Sequence, residues 1–443
     1  MKKIGMTYTR IIALGFLIII CAGAFLLCLP FSSRSGQWTP VIDSLFTATS
    51  ATCVTGLTVV DTQTHWSLFG QIVILLLIQT GGLGFMTVIT MFSIFMRKKI
   101  GLHERRLLMQ SAGTIRISGI IRLIRRVLYG TLIIEGIGTV LLTTRFCPRF
   151  GPVKGIWYSI FHSVSAFCNA GFDILGPESG GSFVGYSNDP VILITLMLLI
   201  IIGGIGFIAW NDILRCKFKF RMYELHTKIV ILATSILIIS GSVFLFITEN
   251  NRSLAGMGIG EKILNSFFLS VSPRTAGFAS INQASLSESG SIITMLLMFI
   301  GGSPGSTAGG IKTTTFVVLV LSTLACARNL SSTSILRKKI NSDTVRQASA
   351  IIFTYISAVI AGSTVICAIE NLPLKEVLFE VISAIATVGL SMGITPDLGT
   401  ASRIIIIMLM YAGRIGGLTL VVALAQKREK IPLERPEEKI LIG

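Results

Sequence analysis

The sequence predicts an all-α polytopic membrane protein, and three observations support this fold class. Hydrophobic residues make up 52% of the 443 residues and charged residues only 13%, compared with about 25% in soluble domains. Apolar stretches long enough for a helix of about 20 residues to cross a bilayer recur along the chain. The period-two alternation of a membrane β-barrel is absent. Despite a net charge of +17, this composition excludes a disordered protein and argues against a soluble nucleic-acid-binding protein.

Eight apolar runs are the predicted spans. They cover residues 11–30, 68–96, 127–144, 190–210, 228–248, 291–321, 348–369 and 403–425. The first run resembles a signal peptide, but apolar residues continue as far as Pro30, so we expect it to be retained as a helix. The run at 291–321 is too long and too often interrupted to be one ordinary helix.

The basic residues predict the orientation. Five segments on one side (1–10, 97–126, 211–228, 328–346 and 427–443) hold 27 of the 38 Lys and Arg, and the segments on the other side hold nine. Lys and Arg concentrate on the cytoplasmic side, so we expect both termini there. Attraction to anionic lipid is the simplest reason for the long basic stretch 97–126.

The predicted outer segments repeat. Each contains an apolar stretch too short to cross, followed by small polar residues and a glycine. The glycines Gly56, Gly171, Gly277 and Gly389 lie 115, 106 and 112 residues apart. This period predicts four repeats, each made of a helix, a re-entrant half-helix with a turn, and a second helix. The repeats cover residues 1–110, 111–226, 227–345 (with a broken second helix) and 346–443 (with a cytoplasmic tail).

Four such repeats insert with the same orientation, so they can close in a pseudo-fourfold arrangement around one central pore. Irregular backbone at membrane depth is tolerated where it is buried or lines a water-filled path. Carbonyl oxygens there would coordinate a dehydrated monovalent cation such as K⁺, and glycine would allow the positive φ required. The alternative, four ordinary loops with glycine turns, is disfavoured by four occurrences in register. The predicted filter residues are Thr52, Cys53, Val54, Thr55, Gly56, Cys168, Asn169, Ala170, Gly171, Arg274, Thr275, Ala276, Gly277, Ala386, Thr387, Val388 and Gly389.

The second helices predict a gate below the filter. Gly82, Gly204 and Gly302 align with Arg414, and a charge within a span usually faces a wet interior. This guanidinium would repel a cation or set the barrier that gating moves; the alternative is an arginine that reaches the cytoplasmic interface. Residues 301–310 include five glycines and a proline and cannot stay helical, so we expect a mobile loop rather than a passive kink. The predicted gate residues are Gly301, Gly302, Ser303, Pro304, Gly305, Ser306, Thr307, Ala308, Gly309, Gly310, Lys312 and Arg414.

Other candidate residues indicate no further chemistry. Glu135, inside the third span, is expected to pair with a basic residue or to be protonated, away from the ion path. The cysteines show no CxxC spacing and are expected to pack as small residues, with Cys53 and Cys168 filling space in the filter. The sequence has no P-loop, no HExxH and no metal-ligand spacing. We therefore expect neither an enzyme nor an organic cofactor.

The four pore-loop repeats with their glycines resemble the Trk/Ktr/HKT superfamily of potassium transporters, over nearly the whole chain. The first pore loop begins about 40 residues into the chain, which is similar to the Ktr-type membrane subunits rather than to the longer Trk members. The resemblance implies potassium uptake across the bacterial cytoplasmic membrane. It also implies that glycine at all four filter positions goes with potassium selectivity, and that the loop at 301–310 obstructs the pore and moves on activation.

The resemblance implies partners as well: a second copy in a homodimer, and a cytosolic ring of nucleotide-binding regulatory subunits (KtrA-type, with RCK domains). Lipid is an expected neighbour and nucleic acid is not. Sodium, as an activator or a coupling ion, is left open. The alternative function is a Na⁺/K⁺-coupled secondary transporter with a midplane ion site. Such carriers have opposite-facing repeats and matching broken helices, whereas we expect same-facing repeats and only one broken helix.

Overall fold

The computed structural model describes residues 8–84, 120–177, 180–217, 219–330, 332–336 and 338–416. These residues are mostly helical. The helices are α1 (Tyr8–Cys28), α2 (Val41–Cys53), α3 (Thr62–His65), α4 (Leu68–Leu83), α5 (Ile120–Phe150), α6 (Pro152–Phe167), α7 (Pro190–Ile205), α8 (Phe207–Cys216), α9 (Leu225–Glu249), α10 (Ile259–Val271), α11 (Glu288–Phe299), α12 (Thr313–Ala327), α13 (Ser342–Ile369), α14 (Leu374–Ala386) and α15 (Thr400–Ile415). The expectation of an all-α chain needs one small correction, an antiparallel pair of strands β1 (Ser334–Ile335) and β2 (Lys338–Lys339).

The first helices of the predicted repeats, α1, α5, α9 and α13, are long and apolar. Within the described residues, these four are each long enough to cross a membrane alone. Large apolar side chains such as Ile18, Ile236 and Phe353 lie on their outer faces, exposed in the isolated chain. A helix whose outer face is apolar can lie in contact with the hydrocarbon core of a bilayer. These helices are consistent with a multi-pass membrane protein.

The second helices are shorter than the apolar runs predicted. Helices α4, α7 and α15 each end at a glycine with positive φ, namely Gly84 (80°), Gly206 (98°) and Gly416 (92°). After Gly206 the chain bends by 94° into α8. The expectation that only the third repeat has a broken helix is therefore wrong, because glycine at this φ leaves the α-helical path although the apolar pattern continues. The remainders of the runs 68–96 and 403–425 lie outside the described residues.

The second helix of the third repeat is interrupted differently. Helix α11 ends at Phe299 and α12 begins at Thr313. The residues between them are held at their base by a hydrogen bond from the Gly301 N–H to the Ile311 carbonyl (2.9 Å). A loop of about ten residues is thus closed on itself between two helices.

The half-helices α2, α6, α10 and α14 are 13 or 16 residues long. Each has a completely buried phenylalanine at one shared position, nine or ten residues before its repeat's glycine. These residues are Phe46, Phe161, Phe268 and Phe379. Close side-chain packing stabilises helix contacts within lipid, so this shared aromatic position anchors all four half-helices in the core.

The repeats contact one another in a cycle. The second helix of each repeat packs against the half-helix of the next: α4 against α6, α7 against α10, α11 against α14, and α15 against α2. The last of these contacts includes an ion pair between Arg403 and Asp43, with Nη1 and Oδ1 2.5 Å apart. The fourth repeat is thereby joined to the first, which brings the ends of all four half-helices together.

Candidate functional site

Each half-helix ends in the same unusual backbone conformation. The residue two positions before each glycine has a positive φ, at Val54 (58°), Asn169 (56°), Thr275 (73°) and Thr387 (51°). Positive φ is uncommon outside glycine and a clear outlier for β-branched residues, three of which occur here. Such strain persists only where the surrounding structure imposes it, often at functional sites.

The four glycines also have positive φ, as their proposed role requires. The values are 98° at Gly56, 68° at Gly171, 77° at Gly277 and 95° at Gly389. All the predicted filter residues are buried except Gly389, which is partly exposed. The four segments after the half-helices therefore share one backbone path at the centre of the protein.

These glycines form a closed ring. A Cβ built on Gly56 would lie 3.1 Å from the Cα of Gly171, and one on Gly171 would lie 3.0 Å from the Cα of Gly277. The corresponding distances are 3.2 Å from Gly277 to Gly389 and 2.9 Å from Gly389 back to Gly56. We call these four residues the glycine ring. Any side chain at these positions would meet the backbone of the next repeat.

Backbone carbonyls alternate with the glycines around the ring. The Cβ built on Gly56 would lie 2.5 Å from the Ala170 oxygen, and the one on Gly171 2.8 Å from the Ala276 oxygen. The Val388 oxygen stands in the same relation to Gly277, and the Thr55 oxygen to Gly389. In every repeat the residue just before the glycine thus brings its oxygen to the neighbouring segment.

A serine near the end of each half-helix braces the ring, a role that the sequence reasoning missed. Ser50 and Ser383 accept hydrogen bonds from the N–H groups of Gly56 (3.1 Å) and Gly389 (3.0 Å). Ser165 donates to the carbonyl of Phe172 at 2.8 Å. In the third repeat, Ser272 donates to the carbonyl of Phe278. A serine five or six residues before each glycine was visible in the sequence and could have identified this brace.

A glycine in the second helix of three repeats lets that helix approach the end of its half-helix. A Cβ on Gly81, Gly203 or Gly413 would collide with the carbonyl of Thr52, Phe167 or Ile385, respectively. Each of these carbonyls lies four residues before its repeat's ring glycine. In the third repeat the equivalent Gly301 instead abuts the carbonyl of Gly309. The loop therefore replaces, in one repeat, a contact that the other three share.

Arg414 joins three repeats below the ring. Its guanidinium donates to the Thr307 carbonyl at 2.6 Å, to the Gly81 carbonyl, and to the Gly82 carbonyl at 3.4 Å. Hydrogen bonds from a charged donor are stronger than neutral ones. The structure thus places Arg414 against the first repeat and the loop, where it acts as a tether as well as a charge.

Thr307 connects the loop to the second repeat. Its hydroxyl donates to the Phe167 carbonyl at 3.1 Å and accepts from the Asn169 amide at 3.2 Å. The loop also meets the bend after α7, since the Phe207 N–H donates to the Gly305 carbonyl at 2.8 Å. A Cβ on Gly206 would lie 2.7 Å from the Pro304 oxygen. The bend at Gly206, which the sequence did not predict, therefore contacts the loop directly.

The other polar residues of the predicted gate act within the loop. Ser306 donates to the Ser303 carbonyl at 2.6 Å, and the Ser303 and Thr313 hydroxyls are 3.2 Å apart. The Lys312 ammonium donates to the Ala308 carbonyl at 2.7 Å. These bonds hold the loop in one shape, whereas Thr307 and Arg414 hold it in place.

Glu135 lies behind the second filter segment. Within the described residues it pairs with no basic side chain; its carboxylate accepts from the Gln79 amide at 3.3 Å. The Cys168 thiol donates to the oxygen of the same amide at 3.4 Å. Cys168 thus has a polar partner beyond the space-filling role expected of it. Nothing in the sequence signalled this connection, because Gln79 belongs to the preceding repeat.

Arg274 is the one charged side chain among the predicted filter residues. It is buried and donates to the Thr234 hydroxyl on α9 at 3.4 Å. Its side chain therefore extends away from the ring toward the first helix of its own repeat. Its neighbours Thr275 and Ala276, with the backbone of Gly277, form the third part of the ring.

A ring of closely spaced backbone carbonyls inside a bundle of apolar helices is compatible with a membrane protein that transports cations. The sequence profile of the TrkH family, described as a cation transport protein, matches residues 9–432. The chain belongs to this family, which confirms the resemblance inferred from the repeats. The family is one of transporters and not of enzymes.

Curated relatives match over the full length. The potassium/sodium uptake protein NtpJ of Enterococcus hirae is 42% identical, over 98% of this chain and 97% of its own length. The Ktr system potassium uptake protein B of Bacillus subtilis is 40% identical, over 100% of this chain and 98% of its own length. The fold resembles the crystal structure of the potassium transporter TrkH from Vibrio parahaemolyticus, with a TM-score of 0.75 and 18% identity, over 96% of this chain and 86% of that one.

Proposed function

We propose that the chain is the potassium-selective, ion-translocating subunit of a bacterial K⁺ uptake system and that it conducts like a channel. The observation that carries this proposal is the glycine ring with its alternating carbonyls. In this proposal eight transmembrane helices and four half-helices surround one central pore in a pseudo-fourfold arrangement. The cycle of contacts between second helices and half-helices supports it.

The carbonyls of Thr55, Ala170, Ala276 and Val388 would replace water around a dehydrated cation in the ring. Carbonyl oxygens are hard ligands suited to a monovalent cation. The half-helix C-termini add partial negative charge directed at the same place. Glycine is required because a Cβ would strike the adjoining segment. The names of the relatives, which specify potassium or potassium/sodium uptake, support K⁺ as the ion.

The loop 301–310 and Arg414 would form the gate. A loop of small residues bonded to the second repeat through Thr307 and to the fourth through Arg414 lies directly below the ring. Opening the pore would require these bonds to break. Regulation would then consist of shifting the loop between its bonded position and one that clears the path.

The remaining parts of the proposal concern the surroundings. The bias of basic residues supports a multi-pass protein of the bacterial cytoplasmic membrane with both termini in the cytoplasm. A homodimer and a KtrA-type regulatory ring on the cytoplasmic face follow from the family resemblance. The basic stretch 97–119 and the tail 427–443, which could contact such a ring, lie outside the described residues.

A coupled secondary transporter is the second candidate, and the bend at Gly206 favours it. Breaks in spans are a feature of carrier ion sites, and the described residues contain two, after Ile205 and after Phe299. Helices α4 and α15 also end at a positive-φ glycine, as α7 does, so these helix ends follow the repeat rather than pairing across two halves. This pattern favours the channel-like function.

Potassium flux into vesicles that contain the purified protein tests the two candidates. A channel-like protein is expected to pass K⁺ down its own gradient without any sodium gradient, and sodium on either side alone would act only as an activator. If K⁺ moved only when a sodium gradient was imposed, the channel-like proposal would be wrong. Vesicles without protein, and protein blocked with excess Rb⁺ or Cs⁺, provide the controls.

A further inference from the structure

An apolar groove with a basic end lies on the outer surface of the protein, away from the ring. It runs between α5, the end of α7 and the bent helix α8, and its volume is about 610 Å³. Small-molecule sites are typically about 300–1,000 Å³. Ile133, Ile202 and Trp210 form part of its walls. The groove is therefore large enough for part of a lipid-sized molecule.

Three arginines stand at one end of the groove. Arg122, Arg125 and Arg126 all line it, mainly through the apolar parts of their side chains, and all are exposed, so that their charged groups can lie at the rim. Among the described residues none of them forms an ion pair; Arg126 donates to the neutral side chain of Asn211 at 2.6 Å. Three cationic side chains without an acidic partner lie beside an apolar groove. A ligand with an anionic head group and an apolar tail would complement both features.

The groove lies where such a ligand would be found. The arginines occupy the first two turns of α5, at the end that the charge bias assigns to the cytoplasm. Basic pockets between transmembrane helices on that side suit anionic lipid head groups. Trp210 adds an amphipathic ring of the kind common at membrane interfaces.

Other occupants fit less well. A second copy of the chain would present its own basic inner face to the arginines, and like charges repel. The two long stretches outside the described residues, 85–119 and 417–443, carry 11 Lys and Arg against 5 Glu, so their net charge would not neutralise the arginines. An anionic lipid has the opposite charge and the apolar length that the groove requires.

We propose that the groove binds an anionic phospholipid, with the phosphate on Arg122, Arg125 and Arg126 and one acyl chain along Ile133 and Trp210. Trp210 packs perpendicular to Phe207, with ring centroids 5.3 Å apart. The Phe207 N–H in turn bonds the carbonyl of Gly305 in the loop. A bound lipid would thus brace the bend against which the loop rests.

Native mass spectrometry of the full-length protein tests the site, with phosphatidylglycerol and phosphatidylcholine as competing probes. The parent protein is expected to retain phosphatidylglycerol at least about tenfold more than phosphatidylcholine, since each arginine near an anionic surface favours it. The triple variant Arg122→Gln/Arg125→Gln/Arg126→Gln is expected to lose this preference. The control Arg215→Gln/Lys219→Gln/Arg221→Gln removes the same charge beyond the groove and is expected to keep it.

A second pair of variants tests the apolar part. Ile133 and its neighbour Leu132 are similarly exposed (61% and 64%), but only Ile133 lines the groove. Ile133→Trp is expected to reduce phosphatidylglycerol retention severalfold, whereas Leu132→Trp at the same depth is not. Equal retention of both lipids by the parent, or unchanged preference in the triple variant, would overturn the proposal. So would loss of the dimer, without loss of lipid, in Ile133→Trp, since the groove would then be an interface between copies. None of these readouts depends on ion transport.

Discussion

The glycine ring and the half-helices form an upper layer of the protein, and the loop 301–310 with Arg414 forms a lower layer. The two layers use the four repeats in opposite ways. In the upper layer every repeat contributes the same parts: a buried phenylalanine, a bracing serine, a strained residue and a ring glycine. In the lower layer the repeats differ, because Arg414 replaces a glycine and the loop 301–310 interrupts one helix. In the proposed function, the upper layer surrounds an ion with similar ligands from every repeat. The lower layer would open and close, which requires a movable part and contacts that hold it.

The largest effect is expected in the upper layer, from Gly389→Ala. The new Cβ would collide with the Thr55 carbonyl, so we expect K⁺ flux to fall about a hundredfold, equivalent to about 2.7 kcal/mol. Gly393→Ala is the matched control, because Gly393 has a similar φ (102° against 95°) but no atom within 4 Å of its Cβ position. Both variants place an alanine at positive φ and so carry the same backbone strain. A similar loss of K⁺ flux in the two would show that strain, and not the contact within the glycine ring, causes the loss.

In the lower layer, Arg414→Gln is expected to raise K⁺ flux about tenfold, because it weakens the bonds to the loop and to Gly81. Tenfold corresponds to about 1.4 kcal/mol, close to the lower end of the range for hydrogen bonds to charged groups. Flux into vesicles measures it. Arg414→Lys keeps the charge but not the forked geometry. If the positive charge alone sets the barrier to K⁺, the flux of Arg414→Lys will equal that of the parent protein. If the hydrogen bonds of the guanidinium set it, the flux of Arg414→Lys will equal that of Arg414→Gln. A decrease in both would contradict a closing role.

A smaller effect is expected where the bend meets the loop. Gly206→Ala would place a Cβ 2.7 Å from the Pro304 oxygen and displace the loop. We expect flux to change about threefold, or about 0.65 kcal/mol. Gly416→Ala is the control: φ is similar (92°), and no described atom lies within 4 Å of its Cβ position. Equal flux in the two variants would show that the bend does not act through the loop.

The smallest effect concerns the closure of the cycle at its outer edge. Asp43 and its partner Arg403 are mostly buried, with side chains 15% and 19% exposed, and we expect Asp43→Ala to lower the free energy of unfolding by about 1 kcal/mol. Glu288→Ala is the control, since Glu288 also stands in the first turn of a helix but is 81% exposed in its pair with Lys375. Thermal unfolding in detergent compares them. A larger loss in Glu288→Ala would contradict a special role for the buried pair.

The two layers also differ in how far the sequence revealed them. The upper layer was predictable because Gly56, Gly171, Gly277 and Gly389 recur at one period, and the same residue types carry the same backbone conformation. The bracing serines recur with the same period, so their role was also predictable from the sequence. A glycine after a short apolar stretch is weak evidence at one position, but four such glycines at one period are strong evidence for a shared structure.

The lower layer was predictable only in part. A cluster of glycines with Pro304 indicates an interrupted helix, and Arg414 is conspicuous as a charge in an apolar run. The bend at Gly206 gave no such signal, because the apolar pattern continues from Ile205 through Phe207. The partners of Thr307 and Gln79 lie in other repeats, and contacts between distant segments depend on packing that no local pattern contains.

The central claim is that the carbonyls of the glycine ring hold the transported ion. Anomalous diffraction from crystals grown with Rb⁺ or Tl⁺ in place of K⁺ tests it most directly. We predict a peak on the axis enclosed by the oxygens of Thr55, Ala170, Ala276 and Val388, and its weakening when excess K⁺ competes with the heavier ion. Peaks only elsewhere, such as beside Glu135, in crystals of protein that still transports K⁺, would contradict the claim.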